Sequence, residues 1–322
     1  MLSYPNIVNT FLKMVELLES KRISLHDELE KIVLKSSISN LAYVDGRKTA
    51  KKLGFDIWQN LKQTYSEETL KKNLKIKNLY TDSQAFPDFM FKSIFENSRL
   101  IGGEILELKD SKGGSIASFN STIPTEYKTL KEIERLNGSK GKIVIKIAEI
   151  FDKNSSYPEW KTYKRKCFYL IRTHKKDENK VKVSIVEGAF FETIPEKDLI
   201  STMFQNIFNK HAKEYPIPDK VKENASQVFQ YLTDHSLISF SQDIPKASIK
   251  PRLRIMAEAK NEGNPHWEKY NIPSKTLNLI IKADNESKTV RNIIEERELP
   301  IEIFTIAHQN DGEFLVFSYK VR

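Results

Sequence analysis

Along the first eighty residues the apolar positions keep helical spacing. Ile7, Phe11, Met14, Val15 and Leu18 form one stripe, and Leu25, Leu29, Ile32 and Val33 form another. Residues 54–61 (GFDIWQNL) predict a further helix. The pattern changes at 87–91 (PDFMF) and 100–110 (LIGGEILELKD), which read as two short strands around the polar break Glu96, Asn97, Ser98, Arg99. Residues 111–114 (SKGG) are turn-like, and 116–119 continue or restart a strand. A helix-like run then opens at Pro124, passes through Tyr127, Leu130, Ile133 and Leu136, and stops at Asn137-Gly138.

The run 142–151 (KIVIKIAEIF) predicts another strand, so the order strand, strand, helix, strand gives a mixed α/β core with a crossover helix. Residues 165–173 and 181–187 alternate as a hairpin around the polar stretch 174–180. Helix-like runs follow at 196–212 and 219–233. Strands are predicted at 276–282, 301–307 and 314–319, with Asn310-Asp311-Gly312 as a tight turn. The expected organisation is a helical region over residues 1–80 packed on the core, a core over 81–195, and a C-terminal region over 196–322 that is helical, then mixed.

The chemistry concentrates on the two central strands. Side chains alternate along a strand, so Glu107 and Lys109 share a face, and a hairpin can bring Asp88 beside them. Two carboxylates so placed suit a hard divalent cation such as Mg²⁺, and a nearby lysine can orient or deprotonate water. As letters the pattern is common in this chain: Glu19 to Lys21, Glu126 to Lys128, Glu159 to Lys161, Glu178 to Lys180, Glu258 to Lys260 and Glu286 to Lys288 repeat the triplet, and Pro218-Asp219 repeats the dipeptide. Only Glu107 and Lys109 sit inside an apolar run, with Ile105, Leu106 and Leu108. A charged pair in a buried-looking strand is costly unless paired or put to use. The bland alternative is an ion pair on an edge strand.

Pro87-Asp88 followed by Glu107-Leu108-Lys109 resembles the PD-(D/E)xK nuclease signature, and residues 103–111 with 118–124 are similar to type II restriction endonucleases. The motif spans about a tenth of the chain. The resemblance implies an α/β restriction-endonuclease-like core, with a central mixed sheet flanked by helices over residues 81–195. It implies Mg²⁺-dependent hydrolysis of double-stranded DNA at a short site, leaving 5′-phosphates. Asp88, Glu107 and the Leu108 carbonyl would hold the metal, with Lys109 as the third catalytic residue. A homodimer is the expected assembly, and a cognate DNA methyltransferase the expected genetic partner. The C-terminal region 196–322 would then serve DNA recognition or dimerisation. The family often carries a further acidic residue on the helix before its first core strand, and Asp56 is the nearest such residue, although a helical Asp near a glycine is more often a solvated or capping group.

Composition agrees with an anionic partner. Lys and Arg total 52 against 43 for Asp and Glu, a formal charge of +9, with a pI near 9.2; such a balance favours phosphate contacts. Lys164 and Arg165 lie in a basic cluster with Lys161 and Lys166, interleaved with Trp160 and Tyr163. Arg252 and Arg254 could present two guanidinium forks to guanine edges. Lys112, Asn120 and Ser121 follow the catalytic strand closely enough for contacts near the site. Each cluster taken singly also reads as a solvated edge. Cys167 is the only cysteine, which excludes an intramolecular disulfide and fits a reducing cytoplasm. The opening residues are not those of a signal peptide, and no apolar run reaches membrane-spanning length. The six histidines lack zinc spacing, and no phosphate-binding glycine loop occurs. A repair or structure-selective nuclease of the same signature, and a non-catalytic basic DNA-binding module, remain the alternatives.

Overall fold

The computed structural model describes residues 2–45, 51–53, 57–66, 68–69, 85–111, 119–120, 123–173, 178–231, 256–261, 263–309 and 312–321. The chain opens with helices α1 (Pro5–Glu19) and α2 (Leu29–Ser37), strand β1 (Leu41–Val44) and helix α3 (Ile57–Thr64). Strands β2 (Phe89–Phe91), β3 (Ser93–Glu96), β4 (Arg99–Gly102) and β5 (Ile105–Ser111) follow, then the short β6 (Phe119–Asn120) and β7 (Tyr127–Lys128). Helices α4 (Leu130–Leu136) and α5 (Gly141–Phe151) lead to β8 (Arg165–Thr173) and β9 (Lys182–Glu187). Helices α6 (Glu196–Glu214) and α7 (Asp219–Phe229) precede β10 (Met256–Ala257), β11 (Thr276–Lys282), helix α8 (Asn285–Glu295), β12 (Ile301–His308) and β13 (Gly312–Lys320).

Two compact units result. One comprises Met1–Ser118, Glu126–Phe191 and Glu258–Arg322, and the other Phe119–Thr125 with Glu192–Ala257. The larger unit is built on a sheet of strand order β1-β2-β5-β8-β9-β11-β13-β12, with β7 pairing β8. β5 with β8 and β9 with β11 run parallel; the remaining neighbours are antiparallel. The protein is therefore mixed α/β, a large mixed sheet flanked by helices. Strands β11, β12 and β13 complete this sheet, and the compact units divide the chain at points other than 80 and 195. Among the described residues no helix is long and apolar enough to cross a membrane.

Strand β5 sits inside the sheet, and its alternation sends Leu106, Leu108 and Asp110 to one face and Glu107 and Lys109 to the other. The Tyr4 ring lies 5.4 Å from Phe168, which pairs with Leu106. Arg172, paired with Asp110, donates to the Leu25 and Asp27 carbonyls at 3.0 and 2.6 Å. The N-terminal helical segment thus covers the face opposite Glu107 and Lys109. Helix α1 buries Ile7, Val8, Phe11, Leu12, Val15 and Leu18. Its first turn has no side-chain cap from Tyr4; the Glu104 carboxylate instead accepts from the Asn6 amide at 2.8 Å, the Ile7 amide at 3.4 Å and Asn6 Nδ2 at 2.7 Å. A carboxylate is favourable at a helix N-terminus. Burial nevertheless pushes Glu104 up to about 7, against the pull of those donors.

Several expectations are corrected. Residues 142–151, read as a strand, form helix α5, which buries Val144, Ile145, Ile147 and Ala148. The β-branched run fits either period. The buried residues follow one side of a helix, and Gly141 lets that helix start against α4, since a Cβ there would lie 1.9 Å from the Glu134 carbonyl oxygen. The parallel partner of β5 is β8, with α4 and α5 in the crossover that such a connection requires. The first eighty residues are not wholly helical, because Leu41–Val44 is a fully buried strand. The predicted 165–187 hairpin is present as antiparallel β8 and β9. Asn310 and Asp311 lie outside the described residues.

The hairpin around Asn97 and Ser98 is also kinked. These residues have φ of 48° and 61° and join β3 to β4 in a ribbon of their own. Gly102 and Gly103, with φ of 69° and 65°, then turn the chain into β5. In the smaller unit, Phe204 and Phe208 of α6 pack on Phe229 of α7 at ring distances of 6.4 and 5.5 Å, and β6 pairs antiparallel with β10.

A Cβ at Gly103 would lie 2.1 Å from Tyr163 Oη, on a backbone that disfavours side chains. Gly103→Ala is expected to lower unfolding stability by roughly 1–3 kcal/mol. Urea denaturation checks this, and an unchanged midpoint would show that β5 enters the sheet differently.

Candidate active site

The antiparallel register of β2 and β5 pairs Phe89 with Leu106 and Met90 with Ile105. Asp88 therefore stands just beyond the paired residues, level with Glu107. The Leu108 amide donates to Asp88 Oδ2 at 2.7 Å, and the Asp88 amide donates to Glu107 Oε2 at 3.2 Å. Lys109 Nζ donates to Glu107 Oε1 at 3.1 Å. The three residues singled out in the sequence thus meet at one point. Asp88 is 4% exposed, and the Glu107 and Lys109 side chains are 16% and 12% exposed. In a strand the N–H and C=O of one residue point the same way, so the Leu108 carbonyl faces the edge where its amide meets Asp88.

Burial pushes the Glu107 carboxyl up to about 7, the Asp88 charge adds to the rise, and Lys109 opposes it. Desolvation and a like charge both disfavour the ionised form. A hard cation would relieve that repulsion, and the donors are all oxygens. Among the described residues no group of three or more His, Cys, Asp or Glu forms a metal cluster. The residues still fit Mg²⁺, which is commonly held through one or two carboxylates while keeping several waters.

The backbone around Asp88 is fixed from two sides. The Asp45 amide, at the end of β1, donates to the Asp88 carbonyl at 2.8 Å. The Asn137 side chain bridges Phe86, accepting from its amide at 2.8 Å and donating to its carbonyl at 2.5 Å, and also donates to the Ile133 carbonyl at 2.9 Å. Asn137 caps the C-terminal end of α4, so the crossover helix holds the segment that presents Asp88. Both residues escaped sequence reading. Asp45 closes an apolar run, a weak signal of a strand that ends on a charge. Asn137 reads as nothing more than a helix stop.

The next carboxylate of β5 has a different use. Asp110 accepts from Arg172 Nε at 3.0 Å and Nη2 at 2.5 Å, a two-pronged pair on the opposite face.

The proposed DNA contacts separate. Lys164 is exposed. Arg165 is buried and donates to the Trp160 and Tyr163 carbonyls at 2.6 and 3.3 Å. Its guanidinium lies 3.8 Å from the Tyr163 ring centre, and burial lowers its pKa to about 10. Lys166 is buried in an ion pair with Glu187. The basic run is therefore not one surface, because β8 is enclosed from its first residue. Arg165 serves inside the fold. Asn120 lies on β6, opposite Met256 of β10. Asp56, Lys112, Ser121, Arg252 and Arg254 lie outside the described residues. Comparison with protein-family models, with curated proteins and with solved structures finds no match for the chain.

The raised Glu107 pKa carries a sign for stability. The folded state holds the proton more tightly than the unfolded chain, so this group lowers stability as pH rises from about 4.5 to about 7. In chelator, the stability of Glu107→Gln relative to wild type is expected to grow by roughly 2–3 kcal/mol between acid and mildly alkaline pH. Denaturant titrations across that range test it. A difference that does not change with pH would show that Glu107 titrates normally.

Proposed function

We propose that the protein is a metal-dependent endonuclease of the type II restriction kind, hydrolysing phosphodiester bonds in double-stranded DNA at a short specific site and leaving 5′-phosphates. The observation that carries the proposal is the meeting of Asp88, Glu107 and Lys109 where β5 passes the start of β2: the Asp88 amide and Lys109 Nζ both donate to Glu107, at 3.2 and 3.1 Å, and the Leu108 amide donates to Asp88 at 2.7 Å. The basic balance of the chain and the mixed sheet are compatible with it, and neither is specific.

Asp88 and Glu107, with the Leu108 carbonyl, would hold Mg²⁺. When bound, the metal supplies Lewis-acid stabilisation of charge at the scissile phosphate. Lys109 orients the attacking water and offsets negative charge on the phosphate. Its hydrogen bond to Glu107 sets the ammonium beside the carboxylate that must lose its proton before the site is fully anionic. The Leu108 amide holds Asp88 in the acceptor orientation. Water attacks phosphorus, the bond to the 3′-oxygen breaks, and the 5′-phosphate remains on the other fragment. No covalent enzyme intermediate is required.

A purely structural role for the cluster is less economical. Two carboxylates set side by side repel one another, as the raised Glu107 pKa reflects, and a fold gains nothing from placing them together. A repair or structure-selective nuclease would use the same residues and differ in substrate.

Digestion of unmethylated phage DNA with Mg²⁺ or with chelator, followed by sequencing of fragment ends, tests the proposal. Discrete Mg²⁺-dependent fragments with a shared end sequence are expected, and Lys109→Ala should abolish cutting while leaving DNA binding largely intact. Smearing would move the reading to a nonspecific or structure-selective nuclease. Intact DNA under both conditions, or full activity in Lys109→Ala, would contradict it.

A further inference from the structure

We infer that the open edge of the large sheet, strand β12, pairs antiparallel with β12 of a second copy of this chain. The two edges of the sheet end differently. β1 is four residues long and fully buried, with helix α5 against it. β12 runs for eight residues, and among the described residues no backbone hydrogen bond joins it to any strand but β13. The outward N–H and C=O groups of such a strand are a template for another chain, and proteins blunt them with lysine, proline, a bulge or a covering element. β12 holds no lysine or proline, its register with β13 is unbroken from Ile301 to His308, and Thr305 and Ala307 are exposed. Residues 267–273 stand beside it across a groove of about 580 Å³, whose walls include Trp267, Tyr270, Phe304 and Ile306. An added strand would find both an unpaired edge and an apolar hollow for its side chains.

The sequence of β12 selects a second copy as that strand. Successive residues point their backbone groups to alternate sides, so a residue can face only one whose groups point the same way. Two identical antiparallel strands must therefore pair about a residue and not between two. Pairing about Thr305 sets Phe304 against Ile306 and Glu302 against His308, whereas pairing about Phe304 would set Glu302 against the buried Ile306. Among the residues lining the groove, Glu302 is the one carboxylate and Lys269 the one lysine or arginine. Lys269 belongs to the His308 end, because the ring of its neighbour Tyr270 lies 6.3 Å from that of His308. Residues opposite one another in a sheet share a face. Pairing about Thr305 therefore carries each Glu302 toward the other copy's Lys269, and both residues are exposed. Nothing in this pairing depends on the nuclease reading.

Sedimentation velocity of the full chain over a concentration series tests the pairing. The wild type should form a dimer. Thr305→Lys, which sets two like charges face to face on the two-fold axis at an exposed position, should be monomeric with an unchanged circular dichroism spectrum. Glu302→Lys should raise the dimer dissociation constant about 5- to 30-fold, since the change counts twice across the axis. The charge swap Glu302→Lys/Lys269→Glu should recover most of that loss. Wild-type protein that stays monomeric would overturn the inference and leave the edge to an extended segment of another protein. A dimer that survives Thr305→Lys, or a charge swap that binds no tighter than Glu302→Lys alone, would overturn it as well.

Discussion

An interior strand with acidic residues has to find a partner for each of them, and β5 with its approach carries Glu104, Glu107 and Asp110. Each is matched to a different part of the larger unit. Glu104 closes the N-terminus of α1 through the Asn6 and Ile7 amides. Asp110 holds Arg172, which in turn gathers the carbonyls of Leu25 and Asp27. Both tie the N-terminal segment to the sheet on one face. Glu107 points the other way and meets Lys109 and a second carboxylate, Asp88. The first two tie the N-terminal segment to the sheet and serve the fold. The third sets two carboxylates side by side, so the Asp88 charge adds to burial in pushing the Glu107 pKa up, where Glu104 is raised by burial alone.

Order around the cluster comes from elements far apart in sequence. β1 contributes the Asp45 amide and α4 contributes Asn137, so Asp88 is held from both directions before any ligand is present. Neither contact is a strong interaction by itself, since a neutral hydrogen bond contributes about 0.5–1.5 kcal/mol net. Their value is geometric, because a carboxylate displaced by an ångström no longer shares a ligand with its neighbour.

The motif was legible because it is local: Asp88 lies one residue before a strand, and Glu107 and Lys109 sit two apart within another. Period-two alternation also exposed β8, β9, β11 and β13. Residues 142–151 read as a strand because their isoleucines and valine satisfy both periods, and the helix shows in the side it buries, Val144, Ile145, Ile147 and Ala148. Arg165 and Lys166 looked like surface charge because sequence does not reveal that β8 is covered on both faces. β1, a four-residue strand after a long helical region, is too short to carry a period. Asn137 was invisible for another reason: its partner, Phe86, is 51 residues away.

The central claim is that Asp88 and Glu107 together form a divalent-cation site whose affinity depends on the ionisation of Glu107. Binding of Mn²⁺ to the metal-free protein, followed by electron paramagnetic resonance across pH, tests it without any substrate. Binding should tighten as pH rises through about 7 and should be lost in Asp88→Asn/Glu107→Gln. Mn²⁺ binding that is independent of pH, or that survives in the double variant, would contradict the account.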